Sequence, residues 1–355
     1  MSSVLLITLI GIFIVIILFQ ISRISENVGI LKGDENVQEE NNQIMGFLLL
    51  VLLVIGLPLM IYSVFVFEPR FLTSIGVSSE HGALIDSMFN WSVFWTGIVF
   101  LVTQVLLFWF AFKYRGTKTR KAFFYPDNLK LEVAWTVIPT IVLVGLAIVG
   151  IQSWYTIFKE MPEGTMIVEV TGKQFDWIIR YPGKDGKLGD KLYTEITPEN
   201  QLGQLWNDKK NHDDIFTNEL HLVVGKPVLV KINARDVLHS FYLPHFRVKM
   251  DAVPGMPTQF GFTPTETTEL LIERTNNPDF EFILACAELC GSSHFAMSKT
   301  VIVETQEEFD EWISKQTPYY EAFVKGKEGD KGTAEETEEE KQEESKKISA
   351  SLTEH

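Results

Sequence analysis

Four side chains that bind soft metal ions lie close together near the C-terminal end of this chain. The stretch ACAELCGSSHFAM has the pattern C-x3-C-x3-H-x2-M and supplies Cys286, Cys290, His294 and Met297. The two cysteines are the only ones among the 355 residues. A second histidine, His239, ends the strand-like run NARDVLHSF well upstream. Two thiols, two imidazoles and a thioether make a donor set for a transition metal.

Three kinds of site use such residues. A disulfide between the two cysteines suits a domain outside the cytosol, and zinc often takes cysteine and histidine in a tetrahedral site. Met297 favours copper instead, because a thioether is a soft ligand. A single blue-copper centre needs two histidines, one cysteine and a weak methionine. The second thiolate would let two sulfurs bridge two copper ions, helped by a main-chain carbonyl, so copper is the favoured prediction over a disulfide or zinc.

Four apolar stretches are long enough to cross a bilayer, which takes about 20 residues. They are Val4–Ile21, Met45–Phe67, Val93–Phe112 and Val133–Trp154. The first is either a retained helix or a signal peptide. No Lys or Arg precedes it and no clear cleavage site follows it, which favours the retained helix. The predicted segments are therefore an N-terminal apolar segment with a loop (1–44), a second membrane helix with an outer loop (45–92), a helical hairpin (93–155), an outer domain (156–318) and an acidic tail (319–355).

The short loops predict the orientation. The loop of residues 113–132 carries six Lys and Arg residues, whereas the preceding loop of residues 68–92 carries only Arg70. Because Lys and Arg mark the cytoplasmic side, the outer domain is predicted to lie outside, as is the N-terminus if all four stretches span. Glu132 then lies at the inner end of the last helix. It is either a helix-start carboxylate favoured by the helix dipole or a proton-uptake group.

Beyond Trp154 the chain alternates in short runs rich in Val, Ile, Phe and Trp, which predicts half-buried strands in a β-sandwich or barrel. The runs are TMIVEV, FDWIIRY, HLVVGKPVLVKINA, TTELLIER, FEFILA and KTVIVET. Residues 183–216 interrupt the pattern and predict an inserted surface loop. The run TQEEFDEWISKQ predicts a closing amphipathic helix, and the polar residues beyond Gly326 predict a disordered tail.

The net charge of −15 argues against a nucleic-acid partner, because phosphates need a basic face. An acidic surface instead steers basic proteins into encounter.

Four motifs together resemble subunit II of haem–copper cytochrome c oxidases, over residues 91–316. They are LEVAWTVIPT, TGKQFDWIIRY, ARDVLHSFYLPHFRVKMDAVPG and CAELCGSSHFAM, of which the last is the most specific. The resemblance implies a membrane-anchored all-β protein, with a cupredoxin-like β-sandwich on a transmembrane helical hairpin and two extra N-terminal apolar segments. It also implies a bacterial inner (plasma) membrane protein whose copper domain lies on the periplasmic side.

The resemblance implies a role for each matching residue. Two copper ions of a binuclear copper A centre would be held by His239, Cys286, Cys290, His294, Met297 and the backbone carbonyl of Glu288. The Glu288 side chain would reach a magnesium or manganese ion at the interface with subunit I. Glu132 would lie at the mouth of a proton path. The donor cytochrome c would dock and deliver electrons near Gln174, Phe175, Trp177 and Asp236.

The implied activity is to accept electrons from a c-type cytochrome and pass them to subunit I, which reduces O2 to water while protons are translocated. Subunit III and the lipid bilayer are further implied partners. No C-x-x-C-H is present, so no haem is expected on this chain. Two departures stand out: Phe175 replaces the usual tryptophan, and Met256 replaces a common arginine. The alternatives are a quinol-oxidase subunit II, disfavoured by the intact copper ligands, and a membrane-anchored copper electron-transfer or binding protein.

Overall fold

The structure, a computed structural model, describes residues 3–68 and 76–325. The chain divides into two compact units, and each is described by itself. One comprises residues 1–70 and 90–147, and the other comprises residues 71–89 and 148–355.

Long apolar helices make up the first unit and continue into the second. They are α1 (Ser3–Lys32), α2 (Asp34–Val51), α3 (Leu57–Phe67), α4 (Gly82–Lys113) and α5 (Leu129–Ile157). A single π-type turn (Leu52–Gly56) joins α2 to α3, so the two helices form one span. Among the described residues, four helical stretches are long and apolar enough to cross a membrane. Each predicted stretch lies within one of them, except that the first begins earlier than the span itself.

Polar contacts join the start of α2 to the basic loop that follows α4. The Lys118 ammonium donates to the side-chain oxygen of Asn36 in the first turn of α2. The side-chain amide of Asn42 donates to the carbonyl of Gly116 at 3.4 Å. The start of α2 therefore lies on the same side as the basic loop, as the predicted four-span topology requires.

The second unit is built on two five-stranded sheets. Their strands are β1 (Met166–Lys173), β2 (Asp176–Tyr181), β3 (Ile215–Thr217), β4 (Leu220–Val223), β5 (Val228–Ala234), β6 (His239–Leu243), β7 (Val248–Ala252), β8 (Thr258–Phe262), β9 (Phe282–Cys286) and β10 (Ser298–Glu304). The sheet orders are β3-β2-β1-β5-β8 and β4-β10-β9-β6-β7. The β1–β5 and β4–β10 pairs are parallel, and the other pairs are antiparallel.

Period-two alternation fills the space between the sheets. On β5, Val228, Val230 and Ile232 are buried while Lys231 is exposed, because successive side chains of a strand point to opposite faces. Phe241 and Phe282 extend this core from the other sheet. These sheets and helices confirm the predicted class, a membrane-anchored all-β sandwich.

The run TTELLIER, predicted as a strand, is instead helix α6 (Thr268–Thr275). The Thr267 hydroxyl caps the helix by accepting the amide of Leu270 at 3.2 Å. Leu271 is fully buried while Leu270 is half exposed, so only one face of the helix packs. The β-branched threonines and the apolar triplet are typical of a strand, but the threonine cap and one-sided burial select a short helix.

Three other strand predictions need correction. His239 begins β6 rather than ending the preceding strand, because β5 ends at Ala234. Phe175 does not share a strand with Trp177, since Lys173 pairs with Asp176 and leaves Phe175 in the two-residue turn between β1 and β2. The run HLVVGKPVLVKINA forms two strands in different sheets, β4 and β5, separated at Gly225. The run TQEEFDEWISKQ does form helix α7 (Gln306–Ser314), with a capping box at Thr305 and Glu308.

Residues 183–216 contain two short 3-10 turns and lead into β3. They cover Arg180, whose guanidinium is fully buried and pairs with Asp214 at 2.8 Å and with Glu169 at 3.1 Å. Tyr319 packs on this segment and donates its hydroxyl to the Glu199 carbonyl at 2.5 Å. The packed chain thus continues past α7, and the predicted disordered tail beyond Gly326 lies outside the described residues.

Candidate metal centre

The sheet containing β6, β9 and β10 gathers the predicted metal ligands at one end. Phe241 on β6 pairs with Cys286 on β9, so His239, at the start of β6, lies beside the end of β9. The chain then loops through Cys290 and a single 3-10 turn (His294–Ala296) before Met297 leads into β10. Strand pairing therefore brings a distant histidine to a loop that carries the other donors.

The donor atoms lie within a few ångströms of one another. The Cys286 and Cys290 sulfurs are 4.0 Å apart. His239 Nδ1 lies 3.8 Å from Cys286 Sγ, and His294 Nδ1 lies 3.6 Å from Cys290 Sγ. Met297 Sδ lies 3.8 Å from Cys290 Sγ, and the Glu288 carbonyl oxygen lies 3.2 Å from Cys286 Sγ. The four other predicted ligand groups thus surround the cysteine pair.

Among the described residues, one group of His, Cys, Asp and Glu side chains could hold a metal ion: His239, Cys286 and Cys290, whose donor atoms lie within 4.8 Å of one another. His239, Cys290 and Met297 are buried, and both cysteines are free thiols. Burial, together with the neighbouring Cys286 sulfur, raises the pKa of the Cys290 thiol to about 11. Two thiolates held this close repel each other, and a shared soft cation relieves that repulsion, so the donor set fits copper.

The carboxylate of Asp236 holds the outer side of His239. Its Oδ1 lies 2.9 Å from His239 Nε2, and its Oδ2 accepts the backbone amide of Gln174 at 2.7 Å. Partial burial alone would raise the pKa of Asp236, but hydrogen bonds from Gln174, His239 and Val237 outweigh it and hold that pKa below its usual value. The side-chain amide of Gln174 also donates to the Cys290 carbonyl at 2.6 Å.

The two aromatic residues predicted for electron transfer occupy different positions. Trp177 is buried, with its ring centroid 6.0 Å from that of His239. Phe175 is half-buried in the turn before β2. It packs at Gly291 against the loop between β9 and β10 (residues 287–297), which is called the copper loop below. The Glu288 side chain is exposed, and its neighbours Leu289 and Phe295 are 78% and 89% exposed.

Glu132 lies in the first turn of α5, in the other compact unit. Its carboxylate accepts the backbone amide of Asn128 at 3.2 Å, while the Asn128 side chain accepts the amide of Leu131 at 3.2 Å. These contacts are those of a carboxylate that caps the start of a helix, which is one of the two roles predicted for Glu132. The other role, proton uptake, stays a prediction.

Two glycines next to the ligands were not identified from the sequence. A Cβ at Gly172 would lie 2.9 Å from the His239 ring, and a Cβ at Gly291 would lie 2.8 Å from the Phe175 ring. Gly291 also has a φ of 141°. Glycine permits close approach of the backbone to a packed ring. The only feature of the sequence that could have indicated such a contact is that Gly291 directly follows the candidate ligand Cys290.

Two family descriptions match consecutive parts of the chain. The one named "Cytochrome C oxidase subunit II, periplasmic domain" matches residues 166–305. The one named "Cytochrome C oxidase subunit II, transmembrane domain" matches residues 76–152. The first covers all ten strands and the candidate ligands, and the second covers α4 and α5 up to the last turn of α5.

Similar proteins carry the same name. The "Alternative cytochrome c oxidase subunit 2" of Bradyrhizobium diazoefficiens is 34% identical over 272 residues, which is 76% of this chain and 92% of that protein. The "Cytochrome c oxidase subunit 2" of Thermostichus vulcanus is 29% identical, over 66% of this chain and 76% of that protein. The crystal structure of the periplasmic domain of subunit II of cytochrome oxidase from Bradyrhizobium japonicum is 26% identical, covers 46% of this chain and all of that one, and has a TM-score of 0.31. This chain belongs to the cytochrome c oxidase subunit II family.

Proposed function

We propose that this chain accepts electrons from a c-type cytochrome at a binuclear copper A centre and passes them to the haem–copper subunit I of a respiratory oxidase. Subunit I then reduces O2 to water while protons are translocated. The observation that carries the proposal is the convergence of His239, Cys286 and Cys290, whose donor atoms lie within 4.8 Å of one another. Two further predicted ligands, His294 and Met297, both contact the Cys290 sulfur.

Six groups of this chain would bind copper at this centre. Two copper ions would be held by Cys286, Cys290, His239, His294, Met297 and the Glu288 carbonyl. When bound, the copper pair supplies one-electron redox chemistry. Burial of His239, Cys290 and Met297 excludes water from that side of the site, and the paired strands β6 and β9 hold His239 beside Cys286. A rigid ligand set favours fast electron transfer because little rearrangement accompanies the change of charge.

The exposed side of the copper loop suits contact with subunit I. Leu289 and Phe295 project two large apolar side chains into solvent beside the ligands, and exposed apolar patches mark interaction surfaces. The exposed Glu288 carboxylate lies in the same loop, directly before Leu289, where it would reach a magnesium or manganese ion shared with subunit I. Subunit III and the lipid bilayer are the further partners of this proposal.

A basic cytochrome c would dock where the β1–β2 turn meets the copper loop. Gln174 is exposed there, Phe175 lies over Gly291, and Asp236 is partly exposed. Opposite charges steer such partners, so oxidation of the cytochrome should slow as salt is added. Unchanged KM across a salt series would favour a permanently attached donor instead.

The placement in the membrane completes the proposal. The chain would be a multi-pass protein of a bacterial inner membrane, with residues 156–318 on the periplasmic side, after segments 1–44, 45–92 and 93–155. Glu132 would lie at the cytoplasmic mouth of a proton path. Removal of a signal peptide can be checked by N-terminal sequencing of the purified protein.

Metal counting and EPR on the purified full-length chain supplied with copper test the central proposal. Two coppers per chain with a mixed-valence signal that is lost in both Cys286→Ser and Cys290→Ser would support it. One copper per chain would indicate a single blue-copper centre. A native Cys286–Cys290 disulfide without copper would favour the rival function, a membrane-anchored binding protein, over an oxidase subunit.

A further inference from the structure

The carboxylate of Asp236 receives three hydrogen bonds from three neighbours. Its Oδ1 accepts the backbone amide of Val237 at 2.8 Å and lies 2.9 Å from His239 Nε2, while its Oδ2 accepts the backbone amide of Gln174 at 2.7 Å. An ionised carboxylate only accepts hydrogen bonds, so His239 must carry its proton on Nε2. In the neutral ring, which is the form that binds a metal, the other nitrogen, Nδ1, then carries the lone pair.

That lone pair is on the side of the cysteines. His239 Nδ1 lies 3.8 Å from Cys286 Sγ, and the ring is fully buried. Gly172 packs against Cγ and Cδ2 of the ring, since a Cβ at Gly172 would lie 2.9 Å from both atoms. The centroid of the Trp177 ring lies 6.0 Å from that of His239. Packing therefore fixes where the ring lies, and the Asp236 carboxylate fixes which nitrogen is available to a metal.

Gln174 connects the same carboxylate to the copper loop. Its backbone amide donates to Asp236, and its side-chain amide donates to the Cys290 carbonyl at 2.6 Å. One residue of the β1–β2 turn thus joins the segment that holds His239 to the loop that holds the second cysteine. Movement of the turn would shift both ligands relative to each other.

We propose that Asp236 and Gln174 are positioning residues of the metal centre: Asp236 sets the tautomer and direction of His239, and Gln174 holds the Cys290 segment at a fixed distance from it. This inference deepens the proposed function and rests on it, because it requires that the site binds copper. It differs from a docking role, in which these residues act on the donor protein alone. A carboxylate behind a ligand histidine orients the ring and raises its basicity.

The two roles predict different results for one substitution. Asp236 keeps about a third of its side chain exposed, so loss of its charge would also weaken docking of a basic donor. A docking role changes KM in a salt-dependent manner and leaves the copper spectrum untouched. A positioning role changes the spectrum and the retention of copper in the absence of any donor, at every salt concentration.

Asp236→Asn is the main variant, because it replaces one acceptor oxygen with an NH2 group that donates, and the neighbours of this side chain are themselves donors. Asp236→Glu tests rescue, since it restores a carboxylate one methylene further out. Asp176→Asn is the matched control. Asp176 is a partly exposed carboxylate at the end of the same turn, and it pairs with Lys299 at 2.8 Å rather than with a ligand. Gln174→Ala keeps the backbone amide bond to Asp236 and removes only the link to Cys290.

The copper-loaded full-length chain and its variants would be compared by EPR, with the histidine nitrogen couplings resolved, and by the rate of copper loss to a chelator. We expect Asp236→Asn to change the nitrogen couplings and weaken copper binding about 10- to 100-fold. Gln174→Ala should have a smaller effect in the same direction, Asp236→Glu should recover part of the loss, and Asp176→Asn should match the wild type. Circular dichroism identifies any variant that fails to fold, and Gln174→Ala then carries the test.

The proposal is overturned if Asp236→Asn and Gln174→Ala match Asp176→Asn in both spectrum and copper retention, even if their KM for the cytochrome rises. Failure of the proposed function gives a different result, because the wild-type chain itself would then bind no copper pair.

Discussion

The ring of Phe175 lies directly against Gly291, the residue that follows Cys290. A methyl group at Gly291 would stand 2.8 Å from two carbons of that ring, and Gly291 has a φ of 141° that other residues rarely adopt. This contact joins the predicted site of electron delivery to the loop that carries the candidate ligands.

Gly291→Ala should therefore displace Phe175, strain the loop and destabilise the domain by about 1–3 kcal/mol. Thermal unfolding of the full-length chain and its copper content measure the two effects. Gly164→Ala is the matched control, because Gly164 has a φ of 81° but no heavy atom within 4 Å of the added methyl. Equal effects of the two variants would show that backbone strain alone, and not the Phe175 contact, is responsible.

Phe175→Ala should slow electron transfer from the cytochrome more than it raises KM. The substitution removes an aromatic contact over the copper loop but no charge, so encounter with the donor is preserved. Stopped-flow oxidation of the reduced cytochrome by the intact oxidase gives the transfer rate, and steady-state turnover gives KM. A rise in KM with an unchanged transfer rate would make Phe175 a docking residue only.

The ligand cluster was predictable because most of its members lie within a dozen residues of one another and their types are chemically selective. The helices were predictable for a similar reason, since 18 or more apolar residues in a row have few other uses. The turn at Phe175 was not, because an aromatic residue before an alternating run reads as the first residue of that strand. The pairing of Lys173 with Asp176 across two strands makes β2 begin at Asp176, one residue later than the run suggests, and a single run does not contain that information.

The hydrogen bonds of Asp236 and Gln174 behind the ligands could not be predicted from the sequence either. Asp236 and Gln174 lie 62 positions apart, and neither residue type indicates that one will bond the other's backbone. The buried Arg180 also gave no signal, because alternation in DWIIRY places an arginine as readily on a solvent face. Only the folded segment 183–216, which supplies Asp214, makes its burial possible.

Met297→Leu should leave copper bound and shift its reduction potential, whereas Cys290→Ser should prevent formation of the copper pair. Met297 contacts the site through one thioether, 3.8 Å from Cys290 Sγ, and a weak axial ligand tunes the potential more than it holds the metal. Metal analysis and redox titration of the two variants make the comparison. Complete loss of copper in Met297→Leu would mean that the thioether is essential for retention.

Glu132→Gln should slow proton uptake during turnover without changing copper content or donor KM. Glutamine retains an oxygen that can accept the Asn128 amide, so the start of α5 stays capped while the exchangeable proton is removed. Proton uptake by oxidase in vesicles measures the effect. Glu132→Ala, which loses both functions, is the comparison, and normal uptake in Glu132→Gln would leave Glu132 with its helix-start role alone.

Asp214 should make the stability of the β-sandwich depend on pH. Burial raises its pKa to about 6 from the usual 3.8, and the pairing with Arg180 only partly offsets that rise. Between these two pH values the folded chain binds more protons than the unfolded chain. The stabilising contribution of the protonated group is therefore present at low pH and is lost as pH rises through about 6.

A shift of this size corresponds to at most about 3 kcal/mol. The unfolding free energy of the metal-free wild-type chain should fall as pH rises from about 4 to about 6, and Asp214→Asn should lose that part of the slope. Asp208→Asn is the control with the opposite sign. Hydrogen bonds from the backbone amides of Asp190 and Lys210 lower the pKa of Asp208, so its contribution is lost as pH falls. If Asp214→Asn and the wild type show the same pH slope, the Asp214 carboxylate ionises at its ordinary pH and the ion pair with Arg180 fully compensates for its burial.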